Sequence, residues 1–142
     1  MSYASVNDML TRFGEAELLR LCVTPTGELD QAAITIALAD AGALIDGYLA
    51  GRYPLPLAHV PSALVPLCAD IARHRLYGEQ APEQIAKRNE AALAFLKSVG
   101  KGELALGLAA DGQTLESQNL AQLHSDGRIF GRSQGRDKGG FL

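Results

Sequence analysis

Between Asp30 and Ala50, apolar residues recur at spacings of one, three and four: Ala33, Ile34, Ala37, Leu38, Ala41, Leu44, Ile45, Tyr48 and Leu49. That period belongs to an α-helix and not to a strand. Asp30 stands where a side-chain oxygen can accept from the free N–H groups of the first turn. The other faces are scarcely more polar, since Ala32, Ile36, Ala39, Gly42, Ala43, Gly47 and Ala50 leave Asp40 and Asp46 as the main charges. A helix apolar nearly all round needs burial on two sides. The segment therefore belongs either at the centre of a bundle or between subunits. Asp40 and Asp46 interrupt the run of roughly 20 uncharged residues that a membrane span requires, so no membrane partner is expected.

Shorter helical signals flank it. Ser5 precedes Val6, Met9 and Leu10, with Asp8 in the first turn and Gly14 after Phe13, the pattern of a capped helix closed by glycine. Glu15 to Leu21 reads as a second helix whose acids Glu15 and Glu17 suit its N-terminal dipole, and Thr24-Pro25-Thr26-Gly27 breaks the chain in a turn. Pro54, Pro56 and Pro61 make residues 52–61 a stiff, extended connector. A fourth helix is expected from Pro61 to Gly78, with Leu64, Leu67, Cys68, Ile71, Ala72 and Leu76 on one side, and Pro66 tolerated near its first turn. A fifth opens at Pro82, carries Ile85, Ala92, Leu96 and Val99 inward, and stops at Gly100.

Eight of the fifteen glycines then fall in the last 42 residues, which disfavours helix there. The stretch from Glu103 to Leu108 is apolar enough for a short strand or an arm lying on the bundle. From Asp111 the polarity fits an arm that orders on a partner. The expected fold class is thus all-α, a bundle of about five helices over residues 1–102, followed by an extended, glycine-rich C-terminal arm over residues 103–142.

The formal charge of −3, with 20% charged residues, supplies no general pull toward nucleic acid or anionic lipid. It is unevenly spread: residues 1–119 hold nine Lys or Arg against fourteen Asp or Glu, and residues 120–142 hold four against two. Cys22 and Cys68 sit among apolar neighbours and read as buried reduced thiols rather than as a disulfide or metal pair. His59, His74 and His124 lack the close pairing of metal ligands, so no metal or cofactor is expected. Asp8, Arg12 and Glu15 would interrupt a signal peptide, which makes a cytoplasm the expected site of synthesis.

Candidate chemistry is sparse. His74 with Arg73, Arg75 and Tyr77 suggests a general base in a basic cleft, but no Ser, Cys or carboxylate stands at a spacing that completes a nucleophile-base pair. The four read better as the solvated face of an amphipathic helix, and no catalytic residue is expected. Asp40 and Asp46, six apart, do not share one helix line, so a joint metal or acid/base role is disfavoured. Gly127, Gly131 and Gly135 follow no strand and open no helix, unlike a phosphate loop. Arg128, Arg132, Arg136 and Lys138, interleaved with Phe130 and Phe141, suit either a nucleic-acid arm or a peptide arm that docks its two Phe residues into protein pockets. The connector likewise has two readings: a loop that presents Arg52, Tyr53 and Pro54 to a neighbour, or a turn that only orients two helices.

The run Tyr48-Leu49-Ala50-Gly51-Arg52-Tyr53-Pro54-Leu55-Pro56-Leu57, then Val60-Pro61, Asp70-Ile71-Ala72-Arg73 and Leu76-Tyr77, resembles the small neck proteins of Mu-like phages and prophages. Tyr3 to Met9 and the ending Arg128-Ile129-Phe130-Gly131-Arg132 with Lys138-Gly139-Gly140-Phe141 are similar too, so the likeness covers nearly the whole chain. The resemblance implies a non-enzymatic head-to-tail adaptor, placed in the virion neck after synthesis in the bacterial cytoplasm. Its implied partners are the portal protein and neighbouring neck and tail proteins, with about twelve copies closing a ring on assembly and a monomer before it. The alternative from the residues is a small DNA-binding or regulatory helical protein of a prophage, whose recognition helix would have to be the one carrying Arg73, His74 and Arg75.

Overall fold

The computed structural model of the chain describes residues 2–106. Five α-helices form one body: α1 Val6–Phe13, α2 Glu15–Leu21, α3 Gln31–Leu49, α4 Leu64–Tyr77 and α5 Glu83–Lys101, with a single 3-10 turn Gly78–Gln80 between the last two. Among the described residues the extended pairing consists of one isolated bridge between Val23 and Leu29, which closes the Thr24–Gly27 turn. The all-α expectation holds for this body, and the arm from residue 107 onward lies outside the described residues.

Local chemistry sets most of the helix ends. Ser5 and Asp8 form a reciprocal capping box at α1: the Asp8 N–H donates to the Ser5 hydroxyl at 3.1 Å, and the Ser5 N–H to the Asp8 carboxylate at 2.8 Å. Asp30 accepts from the Ala33 N–H at 3.1 Å and starts α3. The fourth helix begins at Leu64 and not at Pro61, because Pro66 has no N–H to give the Ser62 carbonyl. The turn before it is held by three-residue bonds, Leu64 to Pro61 at 3.1 Å and Val65 to Ser62 at 3.2 Å. The last helix also outruns its expected stop. Gly100 lies inside α5, and Gly102 ends it in the left-handed region at φ 88°. Gly100 has a packing reason: a Cβ there would stand 2.8 Å from the Tyr48 carbonyl oxygen.

α3 is the centre of the body and packs against α1, α4 and α5. Ile34, Ala37, Leu38, Ala41, Gly42, Ile45 and Leu49 are its buried side. They meet Leu64, Cys68, Ala69, Ile71 and Ala72 of α4 and Ala92, Leu96 and Val99 of α5, with Met9 and Leu18 closing the end beneath α1 and α2. The expected inward residue Leu44 is instead at the surface, 36% exposed, while Leu67 and Leu76 are half-buried. Cys22 and Cys68 are buried free thiols, and burial pushes both up from the ordinary thiol range.

α2 is fastened to α4 by one clamp. The Arg73 guanidinium donates through Nε and Nη2 to the two carboxylate oxygens of Glu17 at 2.7 and 2.8 Å and lies 4.3 Å from the centre of the Phe13 ring. Both charged side chains are only 12% and 15% exposed. The expectation of a solvated polar face is therefore corrected at Arg73: a bidentate pair stacked on an aromatic ring is the geometry that makes burying an arginine tolerable. The hydrogen bonds from Arg73 hold the Glu17 carboxyl below the usual carboxylate range, against the opposing pull of burial.

Candidate functional site

The connector leaves α3 as a turn, with the N–H groups of Arg52 and Tyr53 both donating to the Leu49 carbonyl at 2.9 Å. From there it alternates between inside and outside. Tyr53, Leu57 and Pro61 are buried, whereas Arg52, Pro54, Leu55 and Pro56 face solvent, and the Leu55–Pro56 peptide is cis. Tyr53 is only 4% exposed, and its hydroxyl accepts from the Leu106 N–H at 3.5 Å. So Tyr53, proposed from sequence as a residue shown to a neighbour, is an anchor of the loop, while Arg52 and Pro54 stay on the surface. The Arg52 guanidinium reaches the Val99 carbonyl at 3.5 Å, near the C-terminus of α5 where a cation is favoured, and stands 5.8 Å from the Tyr53 ring centre. The loop is thereby tied to the ends of both long helices.

The second surface is the outward face of α3. Ala32, Thr35, Ile36, Ala39, Asp40, Ala43, Leu44 and Gly47 are exposed, and Ile36 is 63% exposed, the largest fraction among the exposed large apolar side chains of the described residues. Two open depressions lie along this face. One, of about 420 Å³, runs between Ile36 and Asp40 on α3 and His74, Arg75 and Gly78 at the end of α4. The other, of about 320 Å³, is formed by Ala43, Leu44, Gly47 and Tyr48. Asp40 pairs with Arg75 at 3.5 Å, each about half exposed, and Asp46 accepts from the Tyr3 hydroxyl. Burial and the Asp46 carboxylate raise the Tyr3 phenol above its ordinary range, so it stays a donor.

Sequence reasoning named α3 as a helix with two apolar sides but assigned no interaction residues to it. The signal was there in the small and apolar residues that fill the positions between the core positions. The five tail residues named from sequence, Arg128, Phe130, Arg132, Lys138 and Phe141, lie outside the described residues. The groove beside His74 is lined by one carboxylate, one imidazole and one guanidinium, with no hydroxyl or thiol among its side chains. Among the described residues there is no cluster of three His, Cys, Asp or Glu that could hold a metal ion. By length and composition α3 could cross a membrane, and its place against three other helices gives its apolar character a second cause.

Comparison with known proteins settles the lineage. The family described as Bacteriophage Mu, Gp36 matches residues 3–125. The chain belongs to that family. A Mu-like prophage FluMu protein gp36 of Haemophilus influenzae is 37% identical over 141 residues, covering 99% of this chain and 98% of that protein. Gene product J of Escherichia phage Mu is 38% identical over 137 residues, covering 94% and 97%. For this Gp36 family member the Mu-like resemblance read from the connector is therefore correct. The match also extends past the described body into residues 107–125, so part of the arm belongs to the shared pattern.

Proposed function

We propose that this Mu Gp36 family protein is a structural head-to-tail connector, which docks on the portal during virion assembly and works as a ring of about twelve copies in the neck. One observation carries the reading. Besides its packed core, the helical body presents two apolar or proline-rich surfaces to solvent, the Pro54–Leu55–Pro56 tip of a pinned loop and the Ile36 and Leu44 face of its central helix. Soluble monomers seldom expose apolar patches without a partner for them. On this reading Arg52 and Pro54 contact a neighbouring copy, and Arg128, Phe130, Arg132, Lys138 and Phe141 engage the portal or the next neck protein. Before assembly the protein stays in the host cytoplasm as a monomer. No cofactor, metal or catalytic step is part of the role.

The test is electron microscopy of the full chain mixed with the portal protein of its own genome, together with a chain lacking residues 125–142. Ring density on the portal with the full chain, and none with the truncated one, is the expected pair of results. A truncated chain that still joins heads to tails would remove the tail from the proposal.

A DNA-binding role fits less well. Its recognition helix would be α4, whose Arg73 is already held by Glu17 and Phe13 and whose Arg75 pairs with Asp40. Retention on DNA that falls steeply with salt would revive it.

A further inference from the structure

We infer that residues 15–29, helix α2 with the turn that follows it, form a flap that opens as one piece from the body of α3, α4 and α5 and is latched by the Glu17–Arg73 pair. It stands apart from the connector role. The warrant is where the hydrogen bonds of this segment go. Cys22 donates its N–H to the Leu18 carbonyl at 2.9 Å and its Sγ to the same oxygen at 3.3 Å. The Thr24 N–H donates to the Glu28 carbonyl at 2.7 Å, the Glu28 N–H to the Thr24 hydroxyl at 3.1 Å, and the Asp30 N–H to the Cys22 carbonyl at 3.2 Å, so the turn closes on itself. Its junctions are equally local, with the Leu18 N–H bonded back to the Gly14 carbonyl and the Gln31 N–H to the Leu29 carbonyl. Among the described residues, the hydrogen bonds that tie this segment to the rest of the fold beyond those junctions are the two from Arg73 to Glu17. A segment that satisfies its own backbone can move as a unit without leaving polar groups unpaired.

Packing follows the same division. α3, α4 and α5 pack against one another, whereas the main helix partner of α2 is its sequence neighbour α1. α2 has one fully buried side chain, Leu18, with Cys22 buried beyond it and Leu21 and Leu29 half-buried at the edge of the core. Glu15, Ala16, Arg20, Val23 and residues 25–28 face solvent. α2 also starts without a side-chain cap, at Gly14 with φ 88°, a conformation that glycine adopts freely, so its joint to α1 is suited to act as a hinge. Against so small an apolar seat the latch counts for much. It is bidentate, largely dry and stacked on Phe13, and its loss releases the segment as a whole rather than fraying one end. The core side chains of α3, α4 and α5 meet one another, so the body keeps its packing when the flap is open.

The two native thiols report on the two parts separately. Cys22 lies in the flap and Cys68 in α4, and both are buried and free. The full-length native protein is treated with a maleimide at a series of low urea concentrations, and the labelling rate of each thiol is read by peptide mass spectrometry. Cys22 is expected to react at least about tenfold faster than Cys68 and with a shallower dependence on urea, since opening a short segment exposes less surface than unfolding does. Val99→Ala removes buried methyl groups from α5, away from the flap. It should speed Cys68 by about tenfold and leave Cys22 within about twofold, whereas Glu17→Gln should speed Cys22 by at least about tenfold. Equal rates with equal urea dependence, or a Val99→Ala effect shared by both thiols, would mean that residues 15–29 open only with the whole fold, and would overturn the inference. A fast Cys22 rate indifferent both to urea and to Glu17→Gln would be static exposure and would overturn it too. Should Val99→Ala fail to fold, the rates and urea dependences of the two thiols in the unaltered protein decide alone.

Discussion

Replacing Gly47 and Gly100 by alanine, one at a time, should move stability in opposite directions. Both glycines lie inside long helices, where alanine is favoured over glycine by about 0.5–1 kcal/mol. At Gly47 the new methyl group enters open space, with no atom within 4 Å, so that gain should appear almost undiminished. At Gly100 the same methyl stands 2.8 Å from the Tyr48 carbonyl oxygen and 3.7 Å from its carbon. The first distance is several tenths of an ångström shorter than van der Waals contact allows. The obstruction is backbone, which no rotamer change removes, so α3 and α5 have to move apart. Overpacking of that kind costs about 1–3 kcal/mol, and the helix-propensity gain offsets only part of it. The expected net result is a loss of about 1–2 kcal/mol for Gly100→Ala, against a gain of up to about 1 kcal/mol for Gly47→Ala. Urea unfolding followed by far-ultraviolet circular dichroism reads both, as opposite shifts of the midpoint at constant slope. If Gly100→Ala stabilised the protein as Gly47→Ala does, the close α3–α5 crossing described here would be wrong.

Three further outcomes are expected. Leu38→Ala or Ile45→Ala, at 2% and 0% exposure, should each cost about 2–5 kcal/mol. Leu44→Ala, on the outward face, should cost less than about 1 kcal/mol, and equal losses at all three sites would reject the division of α3 into two faces. Glu17→Gln should destabilise the protein at neutral pH by about 1.5–3 kcal/mol, the range for hydrogen bonds to a charged group. Because Arg73 lowers the Glu17 carboxyl, the stability due to the ionised pair is complete above the ordinary carboxylate range and is lost as pH falls through the lowered value. The gap between wild type and Glu17→Gln should therefore close in acid, and a gap independent of pH would mean that the pair contributes nothing through its charge. Arg52→Ala should lower the unfolding midpoint only slightly, by less than about 1 kcal/mol for one distant cap contact, while head-to-tail joining fails in a complementation assay. Normal joining would leave Arg52 only its place at the end of α5.

The helices were legible where local rules decide them. Ser5 with Asp8, Asp30, and the stripe Ile85, Ala92, Leu96 and Val99 specify caps and an inward face without help from the rest of the chain. Legibility failed where a distant backbone decided. Gly100 reads locally as a stop, and only the approach of Tyr48 across the α3–α5 contact explains why glycine is needed within the helix. Arg73 reads as a solvated cation until folding brings Glu17, 56 positions away in sequence, to its guanidinium. Leu44 fits the inward period of α3 as well as Ile45 does, and periodicity alone cannot say where on a helix apolar all round the partners end. The connector was legible as a stiff segment, but which of its side chains point inward depends on a pocket built by other elements. Tyr53 was therefore taken as a presenting residue when it is the anchor.

That anchoring makes the connector a mechanical linkage. A loop held only at its ends would absorb a push by bending. This one is seated through Tyr53, Leu57 and Pro61, and bonded through the Tyr53 hydroxyl to the Leu106 N–H beyond the end of α5. A displacement of Pro54 or Leu55 therefore reaches the C-terminal ends of α3 and α5 with little lost in between. A push at the exposed tip of the loop is thus felt at the crossing of the two longest helices, and not in the loop alone.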